Sequence, residues 1–308
     1  MKQKDKIIEI IRKRISDETH PITIFLFYIF AILCPMFTLH PLILTISASF
    51  AALYVGIIFG RRVLRKWLLG FFPFSLIVIL ANTLSSHYGE SILFYLNGNP
   101  ITKEAIIRGA LMALVIYVIL LWGVSMQRVI TTEMLIYLFG TWAPRLGLTI
   151  SMALHYIPEL YKKFNKVHET ELAMGYEGKK RVEKIRQSVK EFSTVLSWSL
   201  EDAIETGDTM EARGYGLNKK STYRKFLITT KDMIAIILIL ILGIDSLLGI
   251  LQVSTEVHFY PTFELSENWI KIGIVSMVYI FLLCMPLIKW VLEMQKYKRK
   301  ERGVGAWT

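Results

Sequence analysis

Two segments of the chain end in the same order of residue types and are the best candidates for chemistry at a binding surface. The first reads Thr170-Glu171-Leu172-Ala173-Met174-Gly175-Tyr176, and the second, 39 residues later, reads Thr209-Met210-Glu211-Ala212-Arg213-Gly214-Tyr215. A small alanine lets a partner approach closely, and glycine ends a helix by taking a left-handed conformation. The planar arginine fork pairs with a carboxylate through two hydrogen bonds. The near-repeat therefore predicts two similar docking points, although two ordinary glycine-capped helix ends would show the same pattern.

Motifs for catalysis by the chain itself are missing from the sequence. There is no Gly-x-x-x-x-Gly-Lys-Ser/Thr loop for ATP and no Gly-x-Ser-x-Gly, and the six histidines form neither an HExxH motif nor any i, i+4 pair. Cys34 and Cys284 lie in separate apolar runs and are interpreted as packing residues. We therefore predict a protein that is not an enzyme, with no cofactor and no metal site.

The elements that position these segments follow from how apolar and charged residues are separated. The chain is 53% hydrophobic but still 20% charged, so the two kinds of residue occupy different regions. Six apolar stretches have about the ~20 residues needed to cross a bilayer; they lie near 22–38, 41–59, 67–83, 105–125, 231–251 and 271–289. The sequence predicts an all-α, polytopic membrane protein.

The distribution of basic residues predicts its orientation. If both termini lie on one side, 33 of the 36 Lys and Arg residues fall on that side, and only Lys103, Arg108 and Lys271 fall on the other. Basic loops are retained in the cytoplasm, so we expect a multi-pass protein of the cell membrane with both termini cytoplasmic. The net charge of +11 is then explained by the basic cytoplasmic loops, and a nucleic-acid partner is not expected.

The region between the fourth and fifth stretches has the pattern of two long amphipathic helices. Apolar residues recur every three or four positions, at Ile157, Leu160, Phe164 and Val167 and then at Val182, Ile185, Val189, Phe192, Leu196, Leu200 and Ala203. We expect Pro158 to begin or kink the first helix, and each helix to pack one face on the membrane domain or on the other helix. The predicted domains are a basic amphipathic N-terminus (1–20), four membrane helices (21–127), a cytoplasmic coupling-helix domain (128–228), two more membrane helices (229–292) and a basic tail (293–308).

The order of these features resembles the transmembrane T component of energy-coupling factor transporters. The resemblance covers most of the chain and is strongest over 128–216, where the matching landmarks are Thr131-Thr132, Ala143-Pro144-Arg145, Ala153-Leu154-His155-Tyr156-Ile157-Pro158 and Glu211-Ala212-Arg213-Gly214-Tyr215-Gly216. It implies that two coupling helices grip two ATP-binding-cassette ATPases. Their motion would topple a separate membrane-embedded substrate-binding (S) subunit that carries a vitamin or a metal ion.

The resemblance also assigns the candidate site residues. Ala212, Arg213 and Gly214 form the second ATPase-coupling motif, and Ala173, Met174 and Gly175 occupy the first. The family commonly has Arg where this chain has Met174, which indicates a mainly hydrophobic first docking point and favours two non-identical ATPases.

Two other classes of membrane protein are alternatives to this interpretation. A polytopic membrane transferase with a cytoplasmic active site would need clustered carboxylates for Mg²⁺, and the only dense group is Glu201, Asp202 and Glu205, which also fits a solvated helix face. A secondary transporter would show an internal repeat of broken spans, which the sequence lacks. Asp245 lies within the fifth apolar stretch and is expected to be an interfacial or hydrogen-bonded structural carboxylate, although a functional role is also open.

Overall fold

The computed structural model describes residues 19–85, 91–96, 99–175, 181–215, 228–255 and 269–304. The chain divides into two compact units, Met1–Met134 together with Phe226–Thr308, and Leu135–Lys225. The predicted N-terminal amphipathic segment falls mostly outside the described residues.

The described residues are almost entirely helical, which confirms the predicted fold class. In chain order the elements are α1 (Pro21–Met36), α2 (Pro41–Phe59), α3 (Arg61–Ser85), β1 (Ile92–Leu96), β2 (Asn99–Thr102), α4 (Lys103–Val129), α5 (Thr132–Trp142), α6 (Pro144–Ala173), α7 (Arg181–Ala212), α8 (Thr230–Ser254) and α9 (Trp269–Val304).

Five helices in the described part of the chain are long and apolar enough to cross a membrane. They are α2, α3, α4, α8 and the first 20 residues of α9, and α1 is a shorter apolar helix of 16 residues. Each coincides with a predicted span. The strands β1 and β2 were not predicted; they pair as an antiparallel hairpin between α3 and α4.

Local sequence signals fix where these helices begin. Pro21 occupies the first turn of α1, and the Nδ1 atom of His20 accepts a hydrogen bond from the backbone of Ile22 at 3.4 Å. Helix α8 begins with a capping box, because the Thr229 side chain accepts from the backbone of Asp232 and Asp232 accepts from the backbone of Thr229. Such caps satisfy backbone groups that have no partner inside the helix.

The core of the first unit joins α2, α4 and α9 through buried hydrogen bonds. The indole of Trp122 donates to the Ser47 hydroxyl at 3.1 Å, and that hydroxyl lies 2.9 Å from the Tyr279 hydroxyl. Phe27 and Tyr54 pack their rings around Trp122. Polar groups at membrane depth must find partners inside the protein, so this network fixes the register of the three helices.

Small residues of α2 pack partly within the chain. Among Ala48, Ala51, Ala52 and Gly56, Ala51 is 0% exposed. A Cβ atom on Gly56 would lie 3.1 Å from the Leu64 side chain. Close packing within the chain therefore occupies part of this face.

In the second unit, α5 turns sharply into α6. A Cβ atom on Gly147 would lie 2.5 Å from the Cα atom of Gly140, so only glycine fits at this crossing. Ala143 is the N-cap of α6 and Pro144 opens its first turn, a favoured position for proline. Helix α6 therefore begins at Pro144 and continues through Pro158, so the expectation that Pro158 begins the helix is wrong.

Candidate functional site

The first candidate motif forms the end of α6. Met174 is the C-cap, with its backbone N–H directed to Thr170 O, and the N–H of Gly175 donates to Leu172 O at 2.9 Å. Gly175 has a φ of 82°, in the left-handed region that glycine adopts without strain. The predicted glycine conformation is confirmed here.

The second motif ends α7 in the same way. Arg213 N–H donates to Thr209 O at 3.1 Å, Gly214 N–H to Glu211 O at 2.8 Å, and Tyr215 N–H to Met210 O at 2.9 Å. With Gly214 at a φ of 78°, this is a Schellman motif, in which the last carbonyls of a helix are satisfied by the turn that follows it.

Both helix ends are accessible. Met174 is 67% exposed and Tyr215 is 48% exposed, and Ala173, Ala212 and Arg213 are exposed as well. The flanking basic residues Lys179, Lys180, Lys219 and Lys220 lie outside the described residues. The two motifs thus present an alanine, a long side chain and a left-handed glycine at the surface in the same local geometry.

Helices α6 and α7 pack antiparallel, so the two motifs lie at opposite ends of the pair. Four side-chain contacts follow in reverse order along the two helices: Tyr156 with Thr206, Lys163 with Asp202, His168 with Glu191, and Glu171 with Lys190. Lys190 contacts Glu171 near the C-terminal end of α6. It precedes Arg213 by 23 residues, which is about 35 Å along α7 at ~1.5 Å per residue.

The surface between the two helices is largely polar. Glu191 is only 1% exposed, and its Oε1 atom lies 2.8 Å from the Nδ1 atom of His168. Lys163 makes an ion pair with Asp202 and a longer one with Glu159 at 3.8 Å. Val167 and Val195 are the buried aliphatic residues of this contact. Sequence reasoning missed this network, because charged residues on an amphipathic helix are normally solvated.

The predicted apolar stripe of α7 does not pack on α6, which corrects one of the two alternatives given for it. Its large side chains are exposed, and the stripe lies about 120° around α7 from the side that carries Glu191 and Val195. Its large members are Val182, Ile185, Val189, Phe192, Leu196 and Leu200. A contiguous exposed apolar face of this kind is typical of an interaction surface.

The carboxylate cluster of α7 is not arranged as a cation site. Asp202 pairs with Lys163, while Glu201 and Glu205 are exposed. Among the residues that the structure describes, no group of three or more His, Cys, Asp or Glu side chains is placed to hold a metal ion.

Asp245 is exposed on α8, one of the helices able to cross a membrane. It makes no hydrogen bond or ion pair with the described residues, so the expected hydrogen-bonded structural role is not observed there. The helix ends nine residues beyond Asp245, about 14 Å away.

The chain is similar in sequence to known transport proteins. A family model described as the cobalt transport protein CbiQ matches residues 10–223. The energy-coupling factor transporter transmembrane protein EcfT of Streptococcus thermophilus is 28% identical over 110 residues. That match spans 35% of this chain and 42% of the relative, so less than half of that protein is covered.

The family match extends over roughly two thirds of the chain and includes α6, α7 and both motifs. The chain therefore belongs to the CbiQ family, the non-catalytic transmembrane T components of energy-coupling factor transporters.

Proposed function

We propose that this chain couples ATP hydrolysis by two partner ATPases to the uptake of a micronutrient, a vitamin or a metal ion. The observation that carries the proposal is the pair of equivalent, exposed helix ends at opposite ends of one antiparallel helix pair. Two docking points about 35 Å apart suit two ATPase subunits lying side by side. A polar, ion-paired surface between α6 and α7 lets them transmit force as one body.

The six motif residues have separate roles at these docking points. Ala173 and Ala212 leave room for the helix end to enter an ATPase groove, while Gly175 and Gly214 turn the chain away without strain. Arg213 pairs with a carboxylate of one ATPase. Removing one partner of such a pair at an interface costs about 2–5 kcal/mol.

The first docking point differs from the second in chemistry. Met174 offers a flexible apolar side chain that is 67% exposed, and methionine fills irregular apolar gaps. Because one end binds through an ion pair and the other through apolar contact, the two ends favour two ATPases that are not identical.

A separate membrane-embedded S subunit is proposed to contact α7. The apolar stripe of α7 has an exposed Phe192 at its centre, and a contiguous exposed apolar face is typical of an interaction surface.

The proposed location is the cell membrane, with both termini and the second unit in the cytoplasm. The support is the distribution of basic residues, 33 of 36 on one side, which is the pattern of retained loops. The two ATPases then have access to cytoplasmic ATP.

The proposal is tested by purifying the tagged chain from its native membrane in mild detergent. We expect two ATPase-sized subunits and one small membrane subunit to co-purify, and ATP hydrolysis to accompany them. If the chain purifies alone and shows Mg²⁺-dependent transferase activity, the proposal is wrong and the alternative enzyme is favoured.

A further inference from the structure

A groove between α3 and α4 has a volume of about 300 Å³ and a mainly apolar lining, formed by Lys66, Trp67, Gly70, Phe74, Tyr117 and Leu120. The two helices run antiparallel. Asn82 Nδ2 donates to Ala105 O at 2.9 Å near one end, and the rings of Phe71 and Tyr117 lie 4.5 Å apart further along. Gly70 opens the groove, because a Cβ atom there would meet no atom within 4 Å.

One end of the groove is strongly basic. Arg61, Arg62, Arg65 and Lys66 occupy the first turns of α3, and no Asp or Glu follows before residue 86. Lys66 lines the groove itself, with Trp67 beside it. Basic residues next to a membrane helix attract anionic lipid headgroups, and tryptophan favours the same interfacial depth.

Deeper in the groove lies a polar atom without a partner. Tyr117 is 6% exposed, and its hydroxyl makes no hydrogen bond within the part of the chain that the structure describes. Buried hydroxyls in native proteins are nearly always paired. Tyr117 lies beside Phe71 of α3. Phe71 follows Lys66 by five residues, so this position is about 7–8 Å further along α3 than Lys66.

This depth order matches the order of groups in a glycerophospholipid. The phosphate is outermost, the ester carbonyls follow and accept hydrogen bonds, and the acyl chains are innermost and apolar. A helix of another protein would also fill the apolar part, but its backbone carbonyls are already paired, so none of them is available to the Tyr117 hydroxyl.

We propose that this groove binds one anionic phospholipid of the cytoplasmic leaflet. Its phosphate pairs with Lys66, and its glycerol backbone lies beside Gly70 and Leu120. An ester carbonyl accepts from the Tyr117 hydroxyl, and one acyl chain continues along Phe74. The site is independent of the coupling motifs, and only the name of the leaflet depends on the proposed orientation.

The test measures bound lipid on the full-length chain. The protein is equilibrated with vesicles of equal phosphatidylglycerol and phosphatidylcholine, extracted in mild detergent and examined by native mass spectrometry. The wild type should retain one phosphatidylglycerol in preference to phosphatidylcholine. Lys66→Gln should lower that retained fraction about fivefold, Tyr117→Phe should lower it less, and Gly70→Trp should abolish it by filling the groove.

Matched controls lie elsewhere in the same unit. Gly273 on α9 has nothing within 4 Å of a Cβ atom, so Gly273→Trp adds the same bulk outside the groove. Lys231 is exposed at the start of α8, so Lys231→Gln removes the same charge. Both controls should retain the lipid, and all variants should keep the wild-type melting temperature; if Gly70→Trp does not, Gly70→Leu replaces it.

Three outcomes overturn the proposal. Equal retention of both lipids by the wild type would show no headgroup selection. Undiminished phosphatidylglycerol in the folded Gly70 variant would place the lipid elsewhere. If the Gly70 variant, purified from its native membrane, loses a membrane subunit while its lipid retention is unchanged, the groove is assigned to a protein helix.

Discussion

Gly175 and Gly214 make the two helix ends alike, because each takes a left-handed φ, 82° and 78°, where a side chain would be strained. Close packing does not require glycine at position 175, because a Cβ atom there would meet nothing within 4 Å. Their requirement is conformational, and it determines the direction in which the chain leaves each docking point.

The cap of α7 can be tested with two glycines of one helix. Gly214→Ala forces alanine into the left-handed region and should destabilise the helix end by about 1–2 kcal/mol. Gly207 lies inside α7 with open space around it, so Gly207→Ala should stabilise the helix by up to about 1 kcal/mol. Amide hydrogen exchange of the last turn of α7 measures both. Equal protection in the two variants would contradict the assigned cap.

His40 provides a test of pH dependence. The side chain is buried between α1 and α2, and burial lowers its pKa below the usual value of 6.5. The unfolded chain then binds a proton at a higher pH than the folded chain, so stability should decline as pH falls below about 6.5.

The matched variant is His40→Gln, which does not titrate. The melting temperature of the wild type should fall between pH 7.5 and pH 5.5, and the variant should lose part of that fall. Burial also lowers the pKa of His20, so the melting temperature of the variant should still fall as the pH is lowered, but by less. An identical fall in both proteins would show that His40 does not contribute.

The two glycines could be predicted from the sequence, whereas the buried Glu191 could not. The left-handed glycines were predictable because few other residues end a helix this way. The buried Glu191 and its contact with His168 were not, because the antiparallel register of α6 and α7 decides which charged residue is covered.

At the scale of elements, α7 has two different faces. One face meets α6 through Glu191, Val195, Asp202 and Thr206, and another presents the apolar stripe. A helix that uses polar contacts for its own partner and leaves its apolar face exposed is suited to hold a second partner on that face.

The stripe is tested by adding a charge to it. Phe192 is 61% exposed, so Phe192→Asp should leave the fold intact but release the S subunit, since a buried carboxylate without a partner is strongly unfavourable. The ATPases should remain bound. Ser197, an exposed polar residue of the same helix, gives the control Ser197→Asp. Release of the S subunit by both variants, or by neither, would count against this surface.

The membrane helices were predictable from length and hydropathy, whereas the hairpin and the helix faces were not. Asn97-Gly98 follows a run of apolar and aromatic residues. This pair is a hairpin signal, but it is weaker than the helical pattern on either side of it. Ala51 shows the other difficulty, since a small residue favours close approach without indicating whether the neighbour belongs to the same chain.

At the scale of the whole molecule, the division of charge predicts topology. The basic loops and the second unit should face the cytoplasm. Cysteines placed at Ser86 and Thr262, in a variant whose two native cysteines are replaced by alanine, should react with an impermeant thiol reagent outside intact cells. A cysteine at Ser221 should react only after lysis. All three positions lie outside the described residues. Labelling in intact cells at position 221 alone would show that the orientation is the opposite of the predicted one.

We propose that the ends of α6 and α7 transmit force from two ATPases, and Arg213 is the residue whose replacement should affect this most. ATP-dependent uptake and ATPase co-purification are measured together in membranes with matched expression of Arg213→Ala, Arg213→Lys and Met174→Ala. We expect a severe loss of uptake for Arg213→Ala and partial rescue by lysine, because a point charge does not reproduce the fork. Met174→Ala should cause a smaller loss, since it removes at most about 2–3 kcal/mol of apolar contact. Normal transport by Arg213→Ala together with failure of Met174→Ala would contradict this proposal.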